Sequence, residues 1–155
     1  MFIHTYIHNK CQNFINKIRI YNLKFLGAKI GNNVKSYGRF TVMNAVNLTI
    51  GDDSTLNEGV HINCRDKVNI GKGVRISTNV QIHTGKLIIN SFPRVHTKAP
   101  IIIEDNVWIA SGVVISAGIN MGKNSIIGAN SVVVKDVEPN CFYAGNPAKR
   151  ISELS

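Results

Sequence analysis

Two of the five histidines, His83 and His96, fall in one short stretch, HTGKLIINSFPRVHTKAP, together with three cations, Lys86, Arg94 and Lys98. An imidazole has an ordinary pKa of about 6.5, so at pH 7 it is mostly neutral and can take a proton from a hydroxyl or amine held within hydrogen-bond reach. Cations beside it suit an anionic substrate or cofactor. The legible chemistry is general-base catalysis on a cationic loop, and the sequence alone leaves open whether His83, His96 or neither is the base. His4 and His8 sit in an N-terminal segment with helical spacing, and His61 on an ordinary repeat position, so they are weaker candidates. Cys11, Cys64 and Cys141 are odd in number, far apart and without metal-ligand spacing, which argues against a disulfide framework or a zinc site.

The stretch stands out because it interrupts a regular repeat. Ile103, Ile109, Ile115, Met121, Ile127 and Val133 recur every six residues, and the series extends upstream through Ile50, Leu56, Ile62, Ile70, Ile76 and Ile82, with a weaker copy from Ile30. A period of six belongs neither to an α-helix nor to a simple alternating strand. Starts at 30, 50 and 70 differ by twenty, which is three hexads plus a two-residue insertion at one corner. Small or branched residues follow four positions later, as at Ser54, Val60, Val74, Val80, Val107, Val113, Ile119, Ser125, Ser131 and Val137, and glycine often follows the leading aliphatic, as at Gly31, Gly51, Gly71, Gly122 and Gly128. This is the pattern of an all-β fold, a parallel β-helix of hexapeptide coils with three short faces. No coil buries its own apolar side, so the stack is the stable unit. The step from Ile82 to Ile103 is twenty-one residues and loses hexad register after Ile88, so a segment of about 84–100 is looped out.

Length and composition bound the rest. The 155 residues carry 44% hydrophobic and 17% charged side chains, enough apolar material for one cored domain. The net charge of +9 comes without a recognition-helix pattern or basic-aromatic interleaving, which argues against nucleic acid. Lys10, Lys17, Arg19, Lys24, Lys29 and Lys35 crowd the N-terminal segment, where the spacing predicts an amphipathic helix from about residue 3 to 20 with Ile7, Cys11, Phe14, Ile15 and Ile18 on its apolar face. That helix caps the open first coil, or it rests on a membrane surface as a peripheral anchor. It lacks the layout of a secretion signal, and no stretch is apolar for the length of a bilayer. The expected organisation is a helical cap at 1–29, a β-helix at 30–151 and a tail at 152–155. The expected location is the cytoplasm, in contact with the inner face of the membrane if the helix is an anchor.

The run from Ile101 to Ile151, IIIEDNVWIASGVVISAGINMGKNSIIGANSVVVKDVEPNCFYAGNPAKRI, resembles the C-terminal half of the left-handed β-helix, hexapeptide-repeat acyltransferases, especially the branch that acetylates sugars and surface polysaccharides. EDNVWIASG, IGANSVVVKD and GNPAKRI are its specific parts, and the resemblance covers roughly 30–151. It implies left-handed coiling, acetyl-CoA as donor, a hydroxyl or amine of a free or lipid-linked sugar as acceptor, and a homotrimer in which each loop covers a neighbour's groove. Residue by residue, it implies that Ala110 and Ser111, with Gly128 and Ala129 one coil on, contact the pantetheine arm. Lys135, Lys149 and Arg150 then match the basic positions for the nucleotide phosphates, and Trp108 packs on the coil exterior against another subunit. No metal is implied. The family usually carries its catalytic histidine three or four residues after the position of Thr84, in segments resembling TGSHD or TATHP, whereas this chain has TGKLI with Leu87 at that place. His83 is then the nearest substitute and His96, at the loop's far end, the next. Two other readings remain: a catalytically degenerate β-helix that keeps assembly and cofactor binding, and a carbonic anhydrase-like metalloenzyme, for which His61, His83 and His96 lack the expected pairing.

Overall fold

The computed structural model describes residues 2–154. The side chains of residues 2–10 and of Asn13 lie outside the described residues, and with them the predicted roles of Ile7, His4 and His8. One helix, α1 (Phe2–Phe25), precedes a stack of strands two to five residues long, wound three to a coil. The first face holds the parallel rungs Lys29–Ile30, Leu48–Ile50, Val68–Ile70, Ile101–Ile103 and Asn120–Met121. The second face runs from Lys35–Tyr37 through Thr55–Asn57, Arg75–Ile76, Trp108–Ile109 and Ile126–Ile127 to Cys141–Ala144, and closes with an antiparallel strand, Lys149–Glu153. The third face holds Thr41–Met43, His61–Asn63, Gln81–His83, Val114–Ile115 and Val132–Val133.

Register follows the hexads. Ile50, Ile70, Ile103 and Met121 stack in one column, Leu56, Ile76, Ile109 and Ile127 in the next, and Ile62, Ile82, Ile115 and Val133 in the third. All twelve are buried, and so is every member of the second, small or branched series. Burial of these columns is the main force holding the stack together.

The corners divide their work between two residue types. The backbone enters the left-handed region at Asn33, Asp53, Gly73, Asn106, Asn124 and Asn140 on the first corner, where asparagine tolerates it. Side chains bond up this column, from Asn106 Nδ2 to Asn124 Oδ1 at 3.3 Å and from Asn124 Nδ2 to Asn140 Oδ1 at 2.8 Å. The glycines that follow the leading aliphatics serve close approach instead. A Cβ on Gly51 would lie 2.6 Å from the carbonyl carbon of Gly71 on the next coil, so only hydrogen fits.

The two-residue insertions fall after Val42 and Ile62, always at the third corner, and the looped-out segment leaves from that same corner. It is a β-hairpin, Gly85–Ile88 paired antiparallel with Val95–Lys98.

The helix departs from expectation. It runs past residue 20 to Phe25, and the face it lays on the first coil is Asn16, Ile20 and Leu23, not the predicted one. Asn16 also accepts a hydrogen bond through its backbone oxygen from Ser36 Oγ on the second face. Cys11, Phe14, Ile15 and Ile18 point away from the coil. The segment is apolar on two sides, and helical spacing does not say which side meets the protein.

Candidate active site

The third corner gathers the chemistry. Ile82 points into the core, which turns its neighbours Gln81 and His83 outward. Thr84 is buried and fixes the root of the hairpin: its Oγ1 donates to the Asn63 carbonyl at 2.8 Å and accepts from the Asp66 N–H at 2.9 Å, while its carbonyl accepts from the Ala99 N–H. Lys98 Nζ ties the returning strand to the Arg65 carbonyl at 3.2 Å. Between hairpin and coil lies a cleft of about 430 Å³ lined by Asn63, Arg65, His83, Lys86, Leu87 and His96.

Both predicted base candidates therefore open into one cleft. His83 is half-buried, and its Nε2 stands 3.2 Å from Gln81 Oε1. An oxygen at that place accepts, so the contact favours the tautomer with the proton on Nε2 and the lone pair on Nδ1. Desolvation, and then the nearby His61 ring at 5.6 Å, push the His83 pKa below its ordinary value and hold the ring neutral at pH 7. His96 is exposed and lies directly across the hairpin from Leu87. Paired residues on one face of an antiparallel ladder have Cβ atoms about 5 Å apart, so an imidazole stands one cross-strand spacing from the position that Leu87 occupies. The Lys86 ammonium reaches over the next coil, 4.0 Å from where a Cβ on Gly118 would be. Arg94, by contrast, turns back on its own loop and donates to the Ile89 carbonyl at 2.7 Å.

Asn63 carries a further signal that its sequence position, an outward residue among many asparagines, does not give. Its Oδ1 is buried at the cleft without a protein hydrogen-bond partner, an arrangement that costs energy unless a ligand or an ordered water donates to it. Cys64 next to it is excluded as a nucleophile, because burial pushes its thiol up to about 12. Among the described residues no three His, Cys, Asp or Glu side chains converge as a metal site would need.

The remaining predicted residues lie along the coil edges. Ala110 and Ser111 stack below Gly128 and Ala129 at the second corner, the opposite edge of the third face from His83. Within one chain the small-residue column and the imidazoles are thus kept apart. Lys135 is exposed on the same edge as His83, two coils further on, since Ile82 stacks on Ile115 and Ile115 on Val133. Lys149 is exposed on the closing strand. Arg150 is engaged: its Nε lies 3.4 Å from Glu138 and 3.2 Å from Cys141 Sγ, and its Nη2 lies 3.5 Å from Glu153. Trp108 is half exposed on the second face, with Nε1 donating to Ser77 Oγ at 3.3 Å.

Residues 100–135 match the family model described as bacterial transferase hexapeptide (six repeats). A putative acetyltransferase of Saccharomyces cerevisiae, YJL218W, is 42% identical over 112 residues, which cover 70% of this chain and 57% of that protein. The putative colanic acid biosynthesis acetyltransferase WcaF of Escherichia coli K12 is 30% identical over 135 residues, 87% of this chain and 74% of the relative. Among solved structures, a galactoside acetyltransferase in complex with coenzyme A superposes with a TM-score of 0.82 at 31% identity, covering 88% of this chain and 70% of that one. The chain spans about half the length of several curated relatives it matches. The likeness extends to the handedness of the coil, so the fold is an all-β, left-handed parallel β-helix with a helix at its N-terminus. With three faces of hexads, this coil and these relatives, the chain belongs to the hexapeptide-repeat acetyltransferases.

Proposed function

We propose that the protein transfers an acetyl group from acetyl-CoA to a hydroxyl, or an amine, of a sugar in surface polysaccharide assembly, with His83 as general base. The observation that carries this is the cleft in which an imidazole with a lowered pKa, a second imidazole and an unpaired amide oxygen converge. The relatives named for galactoside and colanic acid chemistry, one of them holding coenzyme A, support the donor and the acceptor class.

In this reading Nδ1 of His83 accepts the acceptor's hydroxyl proton as the oxygen attacks the thioester carbonyl carbon. The carbonyl π pair moves onto oxygen, where the Lys86 ammonium or a backbone N–H of the cleft stabilises the charge. Collapse restores the carbonyl, breaks the C–S bond and releases the thiolate, which takes the proton back from the imidazolium. Asn63 Oδ1 accepts from a neighbouring sugar hydroxyl. The pantetheine arm follows the small-residue edge at Ala110, Ser111, Gly128 and Ala129, and Lys135 and Lys149 meet the nucleotide phosphates. Arg150, held by Glu138 and Glu153, orders the closing strand instead. Because the small-residue edge and the imidazoles lie on opposite edges of one face, a homotrimer completes the site, each groove formed between a column of one subunit and the hairpin of the next.

His96 is the alternative base, favoured by its place across from Leu87. The test of the function is release of free thiol from acetyl-CoA as sugar-nucleotide or glycan acceptors are added. Saturable, acceptor-dependent release supports the reading. Tight coenzyme A binding with no release for any acceptor favours the degenerate β-helix. In an active protein, Asn63→Ala is expected to lower kcat/KM about tenfold through the lost sugar contact, mostly in acceptor KM, with the acetyl-CoA KM unchanged.

A further inference from the structure

The helix has a second apolar face. Phe14, Ile18, Tyr21 and Phe25 recur at steps of four, three and four, which at about 100° per residue places them within about 60° of arc. The packed residues Asn16, Ile20 and Leu23 lie about 180° around the helix from them. The outer stripe is bare: Phe14 is 66% exposed, Tyr21 72% and Phe25 88%, with Leu26 at 62% just beyond the helix end. Exposed aliphatic and aromatic side chains in one row are costly in water, and monomeric proteins seldom present them without a partner.

The charges beside the stripe identify the partner. The helix sequence FIHTYIHNKCQNFINKIRIYNLKF holds no Asp or Glu, and Lys17 and Lys24, seven residues apart, flank the stripe on one side. Lys35, exposed on the adjoining strand, shares a groove with Lys17. An antiparallel copy of the helix would bring the lysine rows together with no acid to answer them, which disfavours that pairing. No helix among the described residues is long and apolar enough to cross a membrane. An apolar, aromatic stripe edged by lysines is the arrangement that lies in a lipid-water interface, apolar side in the acyl boundary and ammonium groups at anionic headgroups.

We infer that the outer face of α1 docks the protein on an anionic lipid surface. Docking holds the β-helix where a lipid-linked sugar would be presented, and only that consequence rests on the acceptor class proposed above. Vesicle binding is measured without substrate, so its failure leaves acetyl transfer standing, and loss of transfer leaves docking standing.

The experiment is flotation of the full chain with vesicles of phosphatidylcholine alone or containing phosphatidylglycerol, at low and high salt. Binding is expected to the phosphatidylglycerol vesicles and to weaken as salt rises. Lys17→Gln with Lys24→Gln should weaken it about thirtyfold, and Phe14→Ser with Phe25→Ser should abolish it, while circular dichroism of both variants stays that of the parent. No binding to phosphatidylglycerol vesicles overturns the inference. So does binding that neither pair of substitutions alters, or a phenylalanine variant whose oligomer falls apart on sizing, which would make the stripe a contact between copies.

Discussion

His83→Ala is expected to lower kcat for acetyl transfer by about 10²–10⁴-fold, the range a positioned general base supplies, while the KM for acetyl-CoA stays nearly constant. The side chain is outward and half-buried, and only its link to Gln81 and its contact with the His61 ring are lost, so circular dichroism and the unfolding midpoint should hardly move. The pH profile gives the more specific signature. A base acts in its neutral form, so activity rises with pH through the His83 pKa and then levels off. Desolvation and the His61 ring lower that pKa, which puts the acid limb below about 6.5 and leaves a plateau across neutral pH. His61→Ala removes one of the two causes, so the acid limb should move up towards the ordinary imidazole value. If His96→Ala abolishes turnover while His83→Ala spares it, the base has moved across the hairpin to the residue opposite Leu87.

Ile109→Ala is expected to cost about 2–5 kcal/mol of folding stability, the range for removing a large aliphatic from a packed core. Ile109 is fully buried between Ile76 and Ile127 in the second-face column. A coil contacts only its neighbours, so the void cannot be closed without separating rungs. Against a total stability of about 5–15 kcal/mol, the loss is large. Urea unfolding at fixed protein concentration measures it, since subunit association would otherwise shift the midpoint. Ile102→Ala is the control: its side chain sits on the outer surface of the same coil at 40% exposure, and a change within about 0.5 kcal/mol is expected.

The contrast between Ile102 and Ile109 also explains what the sequence makes legible. Two residues in six face inward on each coil, the larger of them at a fixed step, so the columns of Ile50, Leu56 and Ile62 and their counterparts are written in the period itself. The two-residue insertions show in the sequence as steps of twenty, and the stacking of Val42 beneath Ile62 assigns them to the third corner. Glycines after the leading aliphatics are ambiguous in sequence between unusual dihedrals and close approach. Gly51 settles on close approach, as does Gly122, with the left-handed turns carried two positions on by Asp53 and Asn124.

The site is less legible, for physical reasons. His83 can be placed because its strand neighbour Ile82 belongs to the period. The pairing of Leu87 with His96 depends on hairpin register, which the tip of the loop sets and no periodicity reports. Asn63 is one outward asparagine among many, distinguished only by an oxygen that finds no donor. Helical spacing selects the wrong packed side of α1 because Phe14 and Ile18 outweigh Asn16 in hydrophobicity, although Asn16, Ile20 and Leu23 are the residues that meet the coil.

The most direct measurement is a crystal structure of the protein with coenzyme A and a sugar acceptor bound. The account predicts the thiol sulfur in the cleft between hairpin and coil, with the acceptor hydroxyl within hydrogen-bond reach of His83 Nδ1 and the pantetheine arm along the Ala110 and Gly128 edge of a neighbouring subunit. Coenzyme A bound with its sulfur out of reach of both His83 and His96 would contradict it.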